Sequence, residues 1–209
     1  MIQPNSPAPS TPEAGEAEYE RRIALATATD TSRGLFFNGT LSAVKNFGGE
    51  NALRQCYELL KDKRFERRFI DFSSYPTSDF LRLLHAASKV LGAHLGAPSD
   101  TQRWIGRQTT SDFLSSMAGK TLLLLSGNSP KRALNNLPSG YRSSVSYGDR
   151  IVTMNGDFAA RVSYRRDLMP PLHNEGVLLG VLESVNARNA RVRTQVLGLM
   201  DYDYELTWE

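Results

Sequence analysis

Residues 201–209 read DYDYELTWE. At the two-residue period of a strand, Tyr202, Tyr204, Leu206 and Trp208 share one face, and Asp201, Asp203, Glu205 and Thr207 share the other. Chain ends are usually frayed and polar, so a closing segment with a wholly apolar face belongs in a sheet that covers something. The same period governs the sequence after Pro138. SSVSYGDRIVTMNGDFAARVSYR reads as paired strands joined at Asn155-Gly156, a strong hairpin signal. Pro170-Pro171 interrupts, HNEGVLLGVLESVNA then reads as a helix, and RVRTQVLG with DYDYELTWE forms the last hairpin. Gly176 and Gly180 lie one helical turn apart, a spacing that permits close approach to a sheet or another helix.

Before Pro138 the period is helical. GLFFNGTLSAVKNFGG predicts a short helix stopped by Gly48-Gly49. ENALRQCYELLKDKRF predicts a second, with Ala52, Leu53, Cys56, Tyr57 and Leu60 on one stripe. FIDFSSYP is a connection, and Thr77, Ser78 or Asp79 can cap the amphipathic helix FLRLLHAASKVLGAHLG, which ends near Gly92 or Gly96. Pro98 opens another helical segment, broken near Gly119 or Gly127, and Pro130 opens a shorter one, PKRALNNL. EYERRIALATATD fits either a strand or a helix. Residues 1–17 hold four prolines and little to bury, the composition of a disordered tail. The expectation is a single α+β domain over residues 18–209, its N-terminal helical half packed on a C-terminal antiparallel sheet of strand–strand–helix–strand–strand order.

Composition narrows the setting. With 40% apolar residues the chain can bury a core without staples. The lone Cys56 excludes an internal disulfide. The first twenty residues lack a basic start followed by an apolar run, and the leucines of TLLLLSG fall far short of a membrane span, so a cytoplasmic chain is expected. The formal charge of +3 is concentrated in KDKRFERR, SYRRD and NARNARVR. Such clusters can contact nucleic acid or an acidic partner, but no nucleic-acid motif accompanies them, and a solvated face is the simpler reading.

No motif for catalysis is present. SGNSPKRA lacks the spacing of a phosphate loop, and the nucleophile elbow, the kinase set and His-Glu-x-x-His are all missing. Cys56, His85, His94 and His173 make no metal-ligand spacing. The helical half offers a candidate ligand pocket from Cys56, Leu81, His85, Trp104, Arg107, Phe113 and Met117, with Trp104 and Arg107 one turn apart. Tyr141, Tyr147 and Tyr164 lie among arginines, where they could stack nucleic-acid bases, but sheet packing is the default reading.

GLFFNGTLSAVK, the YP before the Phe80 helix, WIGR, GK, NNLPSGYRSSVSYGD, EGVLLGVLESVNARNARVR and YELTW follow one another in an order that resembles an uncharacterised family of myxobacterial paralogues. That family is similar in turn to haem-based nitric-oxide-binding sensor domains, vinyl-reductase-like sensor domains and small subunits of the TRAPP tethering complex. The resemblance implies a cavity between helices and sheet, holding haem, an aromatic effector or an acyl chain. It also implies where a haem ligand would lie, and KRALNNLPSGY contains no histidine there. The Tyr-x-Ser-x-Arg propionate clamp would fall at RVSYRRD, where Tyr164 is followed by Arg165 and Arg166 without the serine. Histidine-ligated haem is therefore disfavoured, and the cofactor is left open. The leading expectation is a non-catalytic sensory domain for a small apolar or aromatic molecule. The alternatives are a dimerising or tethering module without ligand and a DNA-associated regulator.

Overall fold

The computed structural model describes residues 15–115 and 117–209. Most of the expected tail lies outside the described residues, and helix α1 (Glu16–Leu25) already begins within its last two positions. The stretch that fitted two periods is thus helical, with Tyr19 and Arg22 buried one turn apart. A short strand, β1 (Thr31–Arg33), pairs antiparallel with β2 (Ser74–Pro76), so part of the expected connection is a two-stranded ribbon.

Helix α2 (Gly34–Leu60) is two helical segments that meet at a kink, at the anticipated stop. Gly49 adopts φ 74° and ψ −173° inside it, a conformation open to glycine because it lacks Cβ, and the two helices expected from the sequence lie on either side. Helix α3 (Thr77–Leu95) has no side-chain cap. Thr77 Oγ1 instead shares a hydrogen bond of 2.9 Å with Ser32, and Asp79 is taken by Arg64 and Arg82. Helix α4 (Pro98–Ser115) and helix α5 (Met117–Ser126) follow, the second ending before Gly127 at φ 56°.

The largest departure is helix α6 (Pro130–Ser144), which continues through Pro138 where strands were expected. Ser129 caps its start by accepting from Arg132 N–H at 3.4 Å. Local alternation around Ser143–Val145 lost to burial of Ala133, Leu134 and Leu137 on one helical face.

The four-stranded antiparallel sheet comprises β3 (Asp149–Met154), β4 (Ala159–Arg165), β5 (Arg191–Gly198) and β6 (Asp201–Thr207) in the order β3-β4-β6-β5. Asn155 N–H bonds Ala159 C=O at 2.9 Å across the expected turn, with Gly156 at φ 104°. Helix α7 (Pro171–Ser184) separates the two hairpins, as the pattern required. The apolar face of β6 is buried: Tyr202, Tyr204, Leu206 and Trp208 pack with Leu134 and Leu137 of α6 and Leu178 and Leu182 of α7. A second hydrophobic cluster joins α1 to α4 around Phe37, Leu81, Leu84 and Leu91, and it also takes in Leu168 and Met169.

Helices α4 and α7 cross closely. A Cβ on Gly106 would sit 2.1 Å from His173 O, and one on Gly176 would sit 2.0 Å from Arg103 O. Gly180 faces Arg107 O at 3.0 Å. The glycine spacing read in the sequence therefore serves helix-on-helix packing.

Candidate functional site

The expected pocket residues lie in several places. Cys56 and Leu81 are fully buried in the helical core. Burial alone pushes the Cys56 thiol up to about 12, so it stays protonated and unreactive. Trp104 packs on that core and against Phe47, with ring centroids 4.8 Å apart. Arg107 turns away to an exposed ion pair with Glu183 on α7, at 2.6 Å, so ring and guanidinium do not share a site. Phe113 is half-buried near the end of α4, and the Met117 side chain lies outside the described residues. His85 stacks on Tyr19 at 5.0 Å. Its Nε2 is buried without a hydrogen bond, and burial, then Lys89, lowers its pKa. None of these residues lines either of two clefts in the structure, one beside α6 and the other beside α2.

The first cleft lies between the second half of α6 and the start of β3. Its volume is about 290 Å³, and Pro138, Tyr141, Val145, Tyr147 and Arg150 contribute to its wall. Arg150 is the unusual member. It points inward from β3, where only 2% of its side chain is exposed, and a buried charge must be paired to be tolerated. Its Nη2 donates to Asp167 Oδ2 at 2.7 Å, and its Nη1 donates to Tyr147 C=O at 2.5 Å. The guanidinium lies 4.5 Å from the Tyr141 ring centre and 5.2 Å from those of Tyr147 and Tyr164, within cation–π range. Tyr164 O–H donates to Tyr141 O at 3.1 Å. Arg150 Nε is buried without a partner.

Electrostatics follow from that enclosure. Burial opposes the charge on Arg150, but Asp167 and the surrounding tyrosines more than offset it and raise its pKa. Burial pushes the Tyr141 phenol up to about 12, and Tyr147 and Tyr164 rise well above the usual tyrosine range for the same reason. The site therefore presents the buried Arg150 cation under neutral aromatic rings, with exposed Arg142 and Asp149 also on its wall. Such a surface can orient a flat molecule or an anionic group.

Asp167 connects this cation to the helical half. Its second oxygen accepts from Met169 N–H at 2.7 Å, while Leu168 and Met169 are buried in the helical core. Arg22 of α1, itself buried, reaches the same segment, donating to Met169 C=O at 2.9 Å and Asp167 C=O at 3.3 Å. It also bonds Glu18 at 2.9 Å and the Tyr202 hydroxyl on β6. Sequence reading noted the three tyrosines without placing them in the candidate pocket, and it missed Arg150, Asp167 and Arg22. The available signal was Arg150 itself, a charged residue on the inward phase of a strand.

With this geometry in place, residues 25–209 match the family described as protein of unknown function DUF2378. The chain belongs to the DUF2378 family. No curated protein matches it. Among solved structures, this DUF2378 chain is similar to an H-NOX protein from S. oneidensis in the Fe(II)NO ligation state. The identity is 12% and the TM-score 0.67, covering 85% of this chain and 99% of that one. An unliganded Fe(II) H-NOX protein from K. algicida gives 13% identity and a TM-score of 0.64, over 85% of this chain and 96% of that one. A Cs H-NOX variant carrying an unnatural amino acid gives 11% and 0.69, over 85% and 96%. At such identities the likeness establishes the fold.

The residues around the α6 cleft do not fit haem. No histidine, cysteine or methionine lines it, and a Tyr141 phenol at about 12 is a poor source of tyrosinate. The clamp position two residues after Arg166 is Leu168, fully buried in the helical core. Arg166 itself bonds Asp30 through both terminal nitrogens at 2.9 Å. Among the described residues no group of three His, Cys, Asp or Glu side chains could hold a metal ion, and no helix is long and apolar enough to cross a membrane.

Proposed function

We propose that this chain is a non-catalytic sensory domain that admits a small aromatic molecule to the cleft between α6 and β3. The observation that carries the reading is Arg150: a buried cation under three tyrosine rings, at the wall of a cleft of about 290 Å³. That volume is at the lower end of small-molecule pockets, about 300 Å³, and suits a single substituted ring. Occupancy would press on Tyr141 and Tyr147 and, through Arg150 and Asp167, on the contacts that Arg22 makes from α1. A ligand with differential affinity for two arrangements of that bridge shifts their populations. The H-NOX structures support the reading at the level of fold, since they too are ligand-binding domains in the states named above.

Native mass spectrometry of the freshly purified chain, followed by thermal melting with benzoate, salicylate and indole-3-acetate, tests it. The expected result is a bound mass lost on denaturation, or a Tm raised in proportion to ligand occupancy. Val145→Trp, which fills the cleft from a half-buried position, should abolish the response while leaving the unliganded Tm near the wild type. A bare chain mass with no response to any aromatic anion would sink the proposal. The runner-up is an interaction module, favoured by Leu124 and Leu125 of α5, which are 81% and 70% exposed. A mass that rises with protein concentration and falls in Leu124→Ser would support it.

A further inference from the structure

A second surface carries an inference independent of the α6 cleft. Residues 70–73 form a turn in which Ser73 N–H bonds Ile70 C=O at 3.0 Å. The backbone of this turn is held from several sides. Gly34 N–H donates to Ser73 C=O and Leu35 N–H to Asp71 C=O, each at 3.0 Å. Tyr75 O accepts from Ile70 N–H at 3.0 Å, and Arg33 Nη1 donates to Phe72 C=O at 2.6 Å. The backbone lies so close to Gly34 that a Cβ there would meet Ile70 O at 2.3 Å. Yet the side chains of this fixed turn face outward: Ile70 is 69% exposed and Phe72 is 71% exposed.

Cations surround these two side chains. Lys61, Lys63 and Arg67 are exposed and carry no ion pair among the described residues, and the Arg68 side chain is 81% exposed beside Asp71. Two of the neighbouring carboxylates are occupied, Asp62 by Arg64 and Asp71 by Asn38 and Arg68, while Glu66 is exposed in the same stretch. Asn38 also lines the second cleft, of about 320 Å³, where Leu41, Leu53 and Phe65 lie among Lys45, Glu66, Arg67 and Arg68, Lys45 being paired with Glu50 at 2.6 Å. Residues 61–72 thus combine a fixed apolar tip with exposed cations that outnumber the carboxylates Asp62, Glu66 and Asp71.

We propose that this face docks on an anionic phospholipid surface, with Ile70 and Phe72 entering the interface and Arg67, Arg68, Lys61 and Lys63 meeting the headgroups. Charge complementarity favours lipid over a folded partner. Apolar tips ringed by cations partition into the headgroup boundary, and each juxtamembrane cation adds about fivefold to affinity near an anionic leaflet.

The test is sedimentation of the full chain with phosphatidylcholine vesicles, and with vesicles in which about one third is phosphatidylserine, an anionic surface of the kind that attracts basic segments. The chain should pellet with the second and not the first, and less so as salt rises. Ile70→Ser with Phe72→Ser, both exposed and outside either hydrophobic cluster, should lose at least about tenfold in partitioning, while Ile70→Leu with Phe72→Trp retains it and shows a blue-shifted emission on binding. Equal binding to both vesicles, or unchanged binding by the serine pair, would overturn the proposal. So would loss in Arg67→Glu with Arg68→Glu but none in the serine pair, a pattern of purely electrostatic binding in which the apolar tip takes no part. Neither outcome bears on the aromatic-anion response of the α6 cleft.

Discussion

At the scale of single residues, the buried charges and imidazoles decide how the protein responds to acid. His173, at the start of α7, is 7% exposed, and burial lowers its pKa to about 4 from an ordinary 6.5. The unfolded chain therefore binds a proton that the folded chain refuses between those values. Stability from this residue is fully present above pH 6.5 and is lost as pH falls through that value toward about 4. The full effect is about 3 kcal/mol. Urea unfolding at a series of pH values should show that His173→Gln is less sensitive to acid than the wild type across this window. Parallel curves for the two chains would mean that His173 is solvated or partnered in solution.

At the scale of elements, the α4–α7 crossing is set by the absence of side chains. Gly106 and Gly176 leave no room for Cβ against opposing backbone oxygens, and backbone cannot swing aside as a flexible side chain can. Gly176→Ala should cost about 1–3 kcal/mol through forced separation of the helices. Gly140 in α6 has nothing within 4 Å of its would-be Cβ, so Gly140→Ala should add about 0.4–1 kcal/mol by lowering the entropy of the unfolded chain. Chemical denaturation of both variants checks the opposite signs. A neutral Gly176→Ala would show that the crossing can relax.

At the scale of the whole molecule, two apolar clusters are joined by a polar bridge. Trp104 reports on the helical cluster and Trp208 on the sheet cluster, while Asp167 ties Arg150 of the sheet to the segment gripped by Arg22. Asp167→Asn leaves Arg150 buried without its counter-charge and should cost about 3–5 kcal/mol. It should also weaken the coupling between clusters, so that single-tryptophan versions made with Trp104→Phe or Trp208→Phe melt at different urea concentrations. Coincident transitions in the Asp167→Asn background would show that apolar contacts through Leu168 and Met169 suffice.

The sequence by itself determined whatever depends on local period and local backbone freedom. The alternation of DYDYELTWE specified a strand with one buried face, Asn155-Gly156 specified a hairpin, and Gly49 specified a break in direction, because each acts within a few residues. Tertiary packing decided the rest. It carried α6 through Pro138 by burying Leu134 and Leu137 under the sheet. It also divided the basic clusters, neutralising Arg165 on Asp203 and Arg166 on Asp30 while leaving Arg67 without an ion pair among the described residues. The candidate site was the least legible part: Arg150 meets Asp167 across 17 positions, and Arg22 reaches Asp167 across 145. A buried charge can persist only where folding supplies its partner, and that partner has no signature near it in the chain.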